Sequence, residues 1–218
     1  SNLIAENKMD EFKVLIQKSY DFILALAMPL TVGLIFTSPS VILLLSGESF
    51  APAILTSQIV ALNILMVGIS GVMGLQVLYP MGRINIVILC TFIGAVVNVV
   101  LNVLLIPVYG HNGTAVAYML AEVAVTVSMF IIGRRHIPIQ FFKKEHLHYV
   151  LGSVCMGICL YWVLLLELDD FMTLITMLIV GLMMYISVIL ILKDTMGMLF
   201  WKIIKSYLDK CQYKKKLG

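Results

Sequence analysis

The sequence predicts an all-α protein, a polytopic membrane helix bundle with six transmembrane helices. Hydrophobic residues make up 61% of the 218 residues and charged residues only 12%, whereas soluble domains contain about 25% charged residues. The mean hydropathy is +1.03. Apolar stretches of about 20 residues, the length that crosses a bilayer as a helix, recur along the chain. This composition excludes a soluble enzyme, a disordered chain and a nucleic-acid-binding protein.

The apolar stretches define the predicted elements in order. They cover residues 22–36 with a continuation at 41–45, then 54–78, 84–106, 114–132, 149–166 and 171–192. Pro29 and Pro39 interrupt the first stretch, and proline removes a backbone hydrogen bond and kinks a helix. We therefore expect a broken first helix followed by a short segment near the membrane surface. The runs are continuous, so they lack the alternation typical of β-barrel strands.

Amphipathic segments flank the spans. Apolar and small residues recur at helical spacing near the N-terminus, which predicts a helix lying on the inner membrane surface; they are Met9, Phe12, Ile16, Ser19 and Tyr20. Residues 200–210 repeat the pattern in the tail. The first residue is not Met, and the charged N-terminus is unlike a signal peptide. We therefore expect the chain to be part of a longer protein.

The positive charges predict the orientation of the spans. All 15 Lys and Arg residues lie at the two ends, at Arg83, or in residues 134–144. The three remaining loops contain Glu48, His111 and the acidic residues at 167–170. Because loops rich in Lys and Arg stay in the cytoplasm, six spans with both ends cytoplasmic satisfy every positive charge.

Polar residues inside the spans are the candidate functional residues, because a polar group in hydrocarbon needs a partner. Glu122 lies near the middle of the fourth span, in a stripe with Ala115, Tyr118 and Thr126. The third span contributes Asn98 and Asn102, which could face Glu122, and the second contributes Asn63. Two interpretations remain open at this point. The residues form either a polar path between helices or interhelical hydrogen bonds that hold the bundle together.

Small residues line two spans and predict close helix packing; they are Gly68, Gly71 and Gly74 in the second span and Gly113, Ala117, Ala121 and Ala124 in the fourth. Other chemistry is not indicated. Cys155 and Cys159 are too few for a zinc site, and no phosphate-binding glycine loop occurs. We interpret His146 and His148 as interfacial loop residues. The sequence thus predicts no catalytic residue, metal or cofactor.

A family resemblance is centred on residues 98–117, NVVLNVLLIPVYGHNGTAVA, with its turn motif Pro107, Gly110, Gly113 and Ala115. The segment resembles the turn of Wzx-type polysaccharide flippases in the multidrug/oligosaccharidyl-lipid/polysaccharide exporter superfamily. There an Asn-bearing helix ends at Ile-Pro-x-x-Gly-x-x-Gly and an Ala-rich helix follows. Residues 46–50, SGESF, and 78–83, LYPMGR, are similar to two further loops of that family.

The resemblance implies that the chain is the C-terminal lobe of a two-lobed transporter. Two lobes built from structural repeats are common in transporters. Residues 1–148 would supply the amphipathic helix and four spans of this lobe. Residues 149–218 would supply the last helical pair and a basic cytoplasmic tail. Basic residues that hold a diphosphate in some members would lie largely in the absent N-terminal lobe.

The implied function is the movement of undecaprenyl-diphosphate-linked oligosaccharide repeat units across the bacterial cytoplasmic membrane by alternating access, for surface polysaccharides such as O-antigen and capsule. Partners would be that substrate, membrane lipids, the N-terminal lobe and a polysaccharide polymerase, but not nucleic acid. Candidate path or gating residues are Asn63, Asn98, Asn102, Tyr118 and Glu122. The alternatives are a multidrug or cation antiporter of the same superfamily and a membrane-embedded transferase or scaffold of polysaccharide assembly.

Overall fold

The computed structural model describes residues 8–192, and every regular element in this range is helical. The α-helices are α1 (Met9–Ser46), α2 (Ala53–Ala61), α3 (Asn63–Gly71), α4 (Ile84–Tyr109), α5 (His111–Gly133), α6 (Lys144–Leu164) and α7 (Asp170–Ile191). A 3-10 turn covers Glu48–Phe50, and a π-helical segment covers Val72–Leu78. Within these residues, six helical stretches are long and apolar enough to cross a membrane, with Ala53–Leu78 as the second. The predicted fold class is confirmed, and the predicted tail lies outside the described residues.

The first span is one continuous helix of 38 residues, so the predicted break is wrong. Pro29 has no N–H to donate to the carbonyl of Ala25, four residues earlier, which leaves that carbonyl unpaired within α1. The Tyr185 hydroxyl of α7 donates to this carbonyl instead. A side chain distant in sequence therefore satisfies the group that the proline exposes, and the helix continues.

The second proline of α1 is accommodated in the same way. Pro39 frees the carbonyl of Ile35, and the side-chain amide of Gln58 in α2 donates to it at 3.0 Å. One turn further along α1, the hydroxyl groups of Ser38 and Ser57 lie 3.1 Å apart. Polar groups of α2 thus support the C-terminal half of α1 where its own hydrogen-bond ladder is incomplete.

The predicted amphipathic helix is the first part of α1 and packs against protein, not along the membrane surface. Phe12, Ile16 and Tyr20 are buried in the core cluster. Tyr20 makes an edge-to-face contact with Phe141, with ring centroids 5.5 Å apart. At 1.5 Å per residue α1 is about 57 Å long, which exceeds the bilayer hydrocarbon thickness of about 30 Å. Its first turns therefore extend beyond the membrane core and carry the loop that precedes α6.

The second span is irregular along its length. α2 ends at Ala61, where Leu62 N–H donates to the carbonyl of Ile59 at 3.2 Å in a tighter turn, and α3 follows directly. The π-helical segment then widens the helix over its last turns. A Cβ at Gly68 would lie 2.8 Å from Ile23 Cγ2 of α1, and one at Gly74 would lie 3.2 Å from Met129 Cε of α5. These two glycines therefore set the distance of the span from both neighbours.

The bundle is arranged as a row of packed helices. α4 packs against α5, α5 against α2 and α3, and these against α1, while α6 and α7 pack on each other and on α1. The small-residue face of α5 packs closely against a neighbouring helix, as predicted, and the structure shows that this helix is α4: a Cβ at Gly113 would lie 2.6 Å from the carbonyl oxygen of Leu105. Ala117 and Ala121 are buried on the same face. The central helix of the row is α1, which is the helix among residues 8–192 that packs extensively on both sides of the row.

The turn motif of residues 98–117 forms the tight connection between α4 and α5. α4 continues past Pro107 to Tyr109, and Gly110 alone separates it from α5. Gly110 has φ of +55° and ψ of −132°, a conformation that is accessible mainly to glycine. Ala115 is buried in α5. The short turn makes α4 and α5 an antiparallel hairpin.

Candidate functional site

An apolar groove lies between α1, α6 and α7. Its volume is about 390 Å³. Its lining residues come from all three helices and carry apolar side chains with two exceptions, Thr37 and Tyr185; they are Ala25, Leu26, Pro29, Leu30, Gly33, Leu34, Thr37, Met156, Leu160, Met177, Leu178, Gly181, Leu182, Tyr185, Ile186, Ile189 and Leu190. Both hydroxyl groups donate to backbone carbonyls of α1. The groove therefore presents hydrocarbon and few free polar groups.

Glycines and exposed leucines shape the groove. A Cβ at Gly33 would lie 3.2 Å from Met156 Cε, and a Cβ at Gly181 would lie 3.3 Å from Leu160 Cδ2. Glycine at both positions leaves space that larger residues would fill. Leu30 and Leu182 are 46% and 63% exposed, so the groove opens to the surroundings of the bundle. The sequence does not reveal the groove, because the membrane-spanning parts of these three helices are apolar nearly all round.

The predicted asparagines of α4 bind each other. Asn102 Nδ2 donates to Asn98 Oδ1 at 3.0 Å and to the Asn98 carbonyl at 2.9 Å. Asn102 Oδ1 is buried without a partner. The hydrogen bonds of the described residues thus join the two asparagines within one helix and do not join them to Glu122 of α5.

The polar stripe of α5 faces two environments. Tyr118 is 39% exposed, whereas Glu122 is partly buried. The Thr126 hydroxyl lies 2.8 Å from the Glu122 carbonyl and 3.3 Å from the Met66 carbonyl of α3. Thr126 therefore links α5 to α3, while no hydrogen bond in the described residues reaches the Glu122 carboxylate.

Asn63 is the most completely buried of the predicted path residues. It is 4% exposed, and neither Nδ2 nor Oδ1 has a hydrogen-bond partner. Asn63 precedes Met66 by about one turn, and Glu122 precedes Thr126 by about one turn, on spans that run in the same direction. The Thr126–Met66 link therefore places Asn63 and Glu122 at the same depth. An unpaired buried amide is costly, which makes this level of the bundle a candidate site for water or a polar ligand.

Asp21 forms a polar cluster that the sequence pattern does not predict. Its Oδ1 accepts from Gln17 Nε2 at 2.7 Å and from His146 Nε2 at 3.0 Å, and its Oδ2 accepts from Lys143 Nζ at 3.0 Å. His146 is 7% exposed. The interpretation of His146 and His148 as loop residues is wrong, because α6 begins at Lys144 and includes both. No sequence pattern signals the cluster, since Asp21 lies more than 120 positions from Lys143 and His146.

The described residues contain no group of three or more His, Cys, Asp or Glu side chains that could hold a metal ion. Cys90, Cys155 and Cys159 are free thiols, and Cys211 lies outside the described range. The site features of the described residues are thus an apolar groove, an interhelical polar level and the Asp21 cluster.

Six apolar helices in one bundle define a multi-pass integral membrane protein. The sequence profile of the lipid II flippase MurJ family matches residues 1–182, and the chain belongs to this family. The family comprises transporters and not catalytic enzymes, and with the six helices it places the chain in the cytoplasmic membrane. No curated protein matches the chain. The predicted relationship to lipid-linked flippases is confirmed at the level of the superfamily.

A solved structure described as lipid II flippase MurJ in an inward closed conformation has the same fold. It superposes with a TM-score of 0.72 at 18% sequence identity and covers 91% of this chain. The chain spans 41% of the length of that protein. At this identity the likeness concerns the fold alone.

Proposed function

We propose that the full-length protein moves a lipid-linked precursor across the cytoplasmic membrane, and that the groove between α1, α6 and α7 holds part of its hydrocarbon chain. The groove carries the proposal. Its walls offer dispersion contacts to a hydrocarbon chain and few polar groups that a chain would leave unpaired. Membership of a family described as lipid II flippases supports the same function.

The charge distribution indicates where the headgroup would bind. All Lys and Arg residues lie outside the predicted spans, so the spans of this chain contain no cationic group for a diphosphate. The groove would take the lipid part, while basic residues elsewhere in the full-length protein would hold the headgroup. The N-terminal lobe predicted from the family resemblance therefore remains a proposed partner of this chain.

The cargo that we propose first is lipid II, because the matching profile carries that description over residues 1–182. The turn motif favours a second candidate, undecaprenyl-diphosphate-linked repeat units for surface polysaccharides, with a polysaccharide polymerase as partner. Both cargoes have a polyprenyl diphosphate carrier, so an apolar groove accepts either. A cation antiporter would need an acidic cavity, for which Glu122 is the available carboxylate within the predicted spans.

The polar path proposed from the sequence remains part of this function. Asn63 and Glu122 support it because they lie at one depth. Both polar side-chain atoms of Asn63 are buried without a partner, and no hydrogen bond among the described residues reaches the Glu122 carboxylate. Asn98, Asn102 and Tyr118 would extend the path along α4 and the open side of α5. Hydrated sugar groups crossing the membrane would find hydrogen-bond partners along such a path.

Flipping by the full-length protein in proteoliposomes tests the proposal. Lipid II, a polyprenyl-linked oligosaccharide and a cationic drug are supplied in separate experiments. Flipping of lipid II is expected; flipping of the oligosaccharide lipid alone would indicate a polysaccharide flippase, and drug efflux alone would indicate an antiporter.

A matched pair of variants tests the groove itself. Leu182→Trp fills the groove and is expected to reduce lipid flipping about tenfold, equivalent to about 1.4 kcal/mol. Met183→Trp is the control, because Met183 is 65% exposed on the same helix and does not line the groove. Equal loss of flipping in both variants would remove the groove from the proposal.

A further inference from the structure

The last helical pair is attached to α1 by polar groups at one end of their contact. The Asp21 carboxylate binds Lys143 and His146, and one turn along α1 the Ala25 carbonyl accepts from Tyr185. Among the residues that the structure describes, the hydrogen bonds that join α1 to α6 and α7 lie at this end. The groove begins beside them and extends toward Thr37.

The Asp21 attachment is shielded from solvent. The exposed fractions of the Asp21, Lys143 and His146 side chains are 17%, 23% and 9%. Gln17 strengthens it, since its Oε1 accepts from Gln140 N–H at 2.8 Å and its Nε2 reaches the Gln140 carbonyl at 3.3 Å. Shielded ion pairs lose more when one partner is removed than exposed pairs do.

The outer part of the contact between α1 and α7 is apolar, unlike the hydrogen-bonded end at Asp21. Leu34 and Leu178 line the groove there, at 43% and 59% exposed. Lipid tails are as apolar as leucine, so apolar contacts between membrane helices can be exchanged for contacts with a hydrocarbon chain at little loss. Hydrogen bonds at the Asp21 end cannot be exchanged in this way.

We propose that Asp21 and Tyr185 are positioning residues that fix the cytoplasmic end of the last helical pair on α1. The groove then admits a hydrocarbon chain by separation of α1 and α7 at the outer end alone. This inference rests on the proposed function for the identity of the ligand. The fixed end itself is a property of the bundle that can be measured without a ligand.

Spin-label distances in the full-length protein in nanodiscs test the proposal, after replacement of the native cysteines by serine. One pair of labels, at Leu34→Cys and Leu178→Cys, reports on the outer end. A second pair, at Leu26→Cys and Ile186→Cys, reports on the cytoplasmic end, close to the Ala25–Tyr185 hydrogen bond. Added polyprenyl phosphate is expected to shift the outer distances to longer values and to leave the cytoplasmic distances unchanged. Widening at both ends, or bound lipid without outer widening, would overturn the proposal.

Variants test the attachment at the cytoplasmic end independently of ligand binding. The double variant Asp21→Asn with Tyr185→Phe is expected to broaden the cytoplasmic distances even in nanodiscs without polyprenyl phosphate. Asp10→Asn is the matched control, because Asp10 pairs with Lys13 on the exposed face of the same helix. An unchanged cytoplasmic distribution in the double variant would overturn the proposal. Absence of polyprenyl phosphate binding, measured on the same samples by a fluorescent analogue, would count against the proposed function and leave this comparison valid.

Discussion

Tyr185→Phe tests whether α7 supplies the hydrogen bond that Pro29 withholds from α1. The substitution keeps the ring, which packs where Gly152 leaves space, and removes only the hydroxyl. Ala25 is 4% exposed, so its carbonyl would lose its partner without gaining water. A buried unsatisfied group costs about 1–3 kcal/mol, and measured interhelical hydrogen bonds in membranes average about 0.6 kcal/mol. We expect Tyr185→Phe to lower the free energy of unfolding by about 1 kcal/mol.

The same substitution in a Pro29→Ala background distinguishes this reasoning from general packing loss. Ala at position 29 restores an N–H that can donate to the Ala25 carbonyl, so Tyr185→Phe is expected to become nearly neutral, with a coupling energy of about 1 kcal/mol. Unfolding in mixed detergent micelles, followed by circular dichroism, measures each variant. Tyr161→Phe is the control, because Tyr161 is 55% exposed. Equal losses with and without Pro29 would refute the reasoning.

Three further substitutions and one control substitution test helix packing and the polar level of Asn63 and Glu122. Gly94→Ala is expected to destabilise the hairpin of α4 and α5 by about 1–3 kcal/mol in the same unfolding assay, because the added Cβ would overlap Val125. Gly71→Ala is the control, because a Cβ there meets open space, and only the higher helix propensity of alanine should affect stability. Asn63→Leu removes an unpaired buried amide and should maintain or raise stability while lowering flipping in proteoliposomes; unimpaired flipping would assign Asn63 to packing. Glu122→Gln should lower flipping with normal membrane insertion, measured by fractionation, and normal flipping would contradict a role in the path.

Much of the fold was predictable because continuous apolar runs have one main explanation in a chain of this composition. The predicted spans 114–132 and 171–192 correspond to His111–Gly133 and Asp170–Ile191. Close packing along the small-residue face of α5 was predictable as well, since only small residues let backbones approach. These features depend on local sequence, which is why sequence alone was sufficient for them.

The shape of α1 was not predictable because its prolines are compensated from outside the helix. Tyr185 and Gln58 are far from Pro29 and Pro39 in sequence. The sequence around each proline therefore does not indicate which side chain donates to the freed carbonyl. The amphipathic stripe of the first turns raised a different problem. The apolar face of an amphipathic helix can pack on a membrane surface or on protein. The contact of Tyr20 with Phe141, in the loop before α6, shows that this helix packs on protein.

The polar residues of the spans now separate into two groups with different meanings. Gln58 and Tyr185 are accounted for, since each satisfies a carbonyl that a proline freed. Asn63 and Asn102 carry buried atoms without a partner, and burial of such atoms is unfavourable unless something binds them. The absence of a hydrogen-bond partner, more than the polarity of the side chain, therefore identifies the residues to test for contact with water or with the headgroup of a lipid-linked cargo. By this criterion Asn63 comes first, because both polar atoms of its side chain are unpaired at the depth of Glu122.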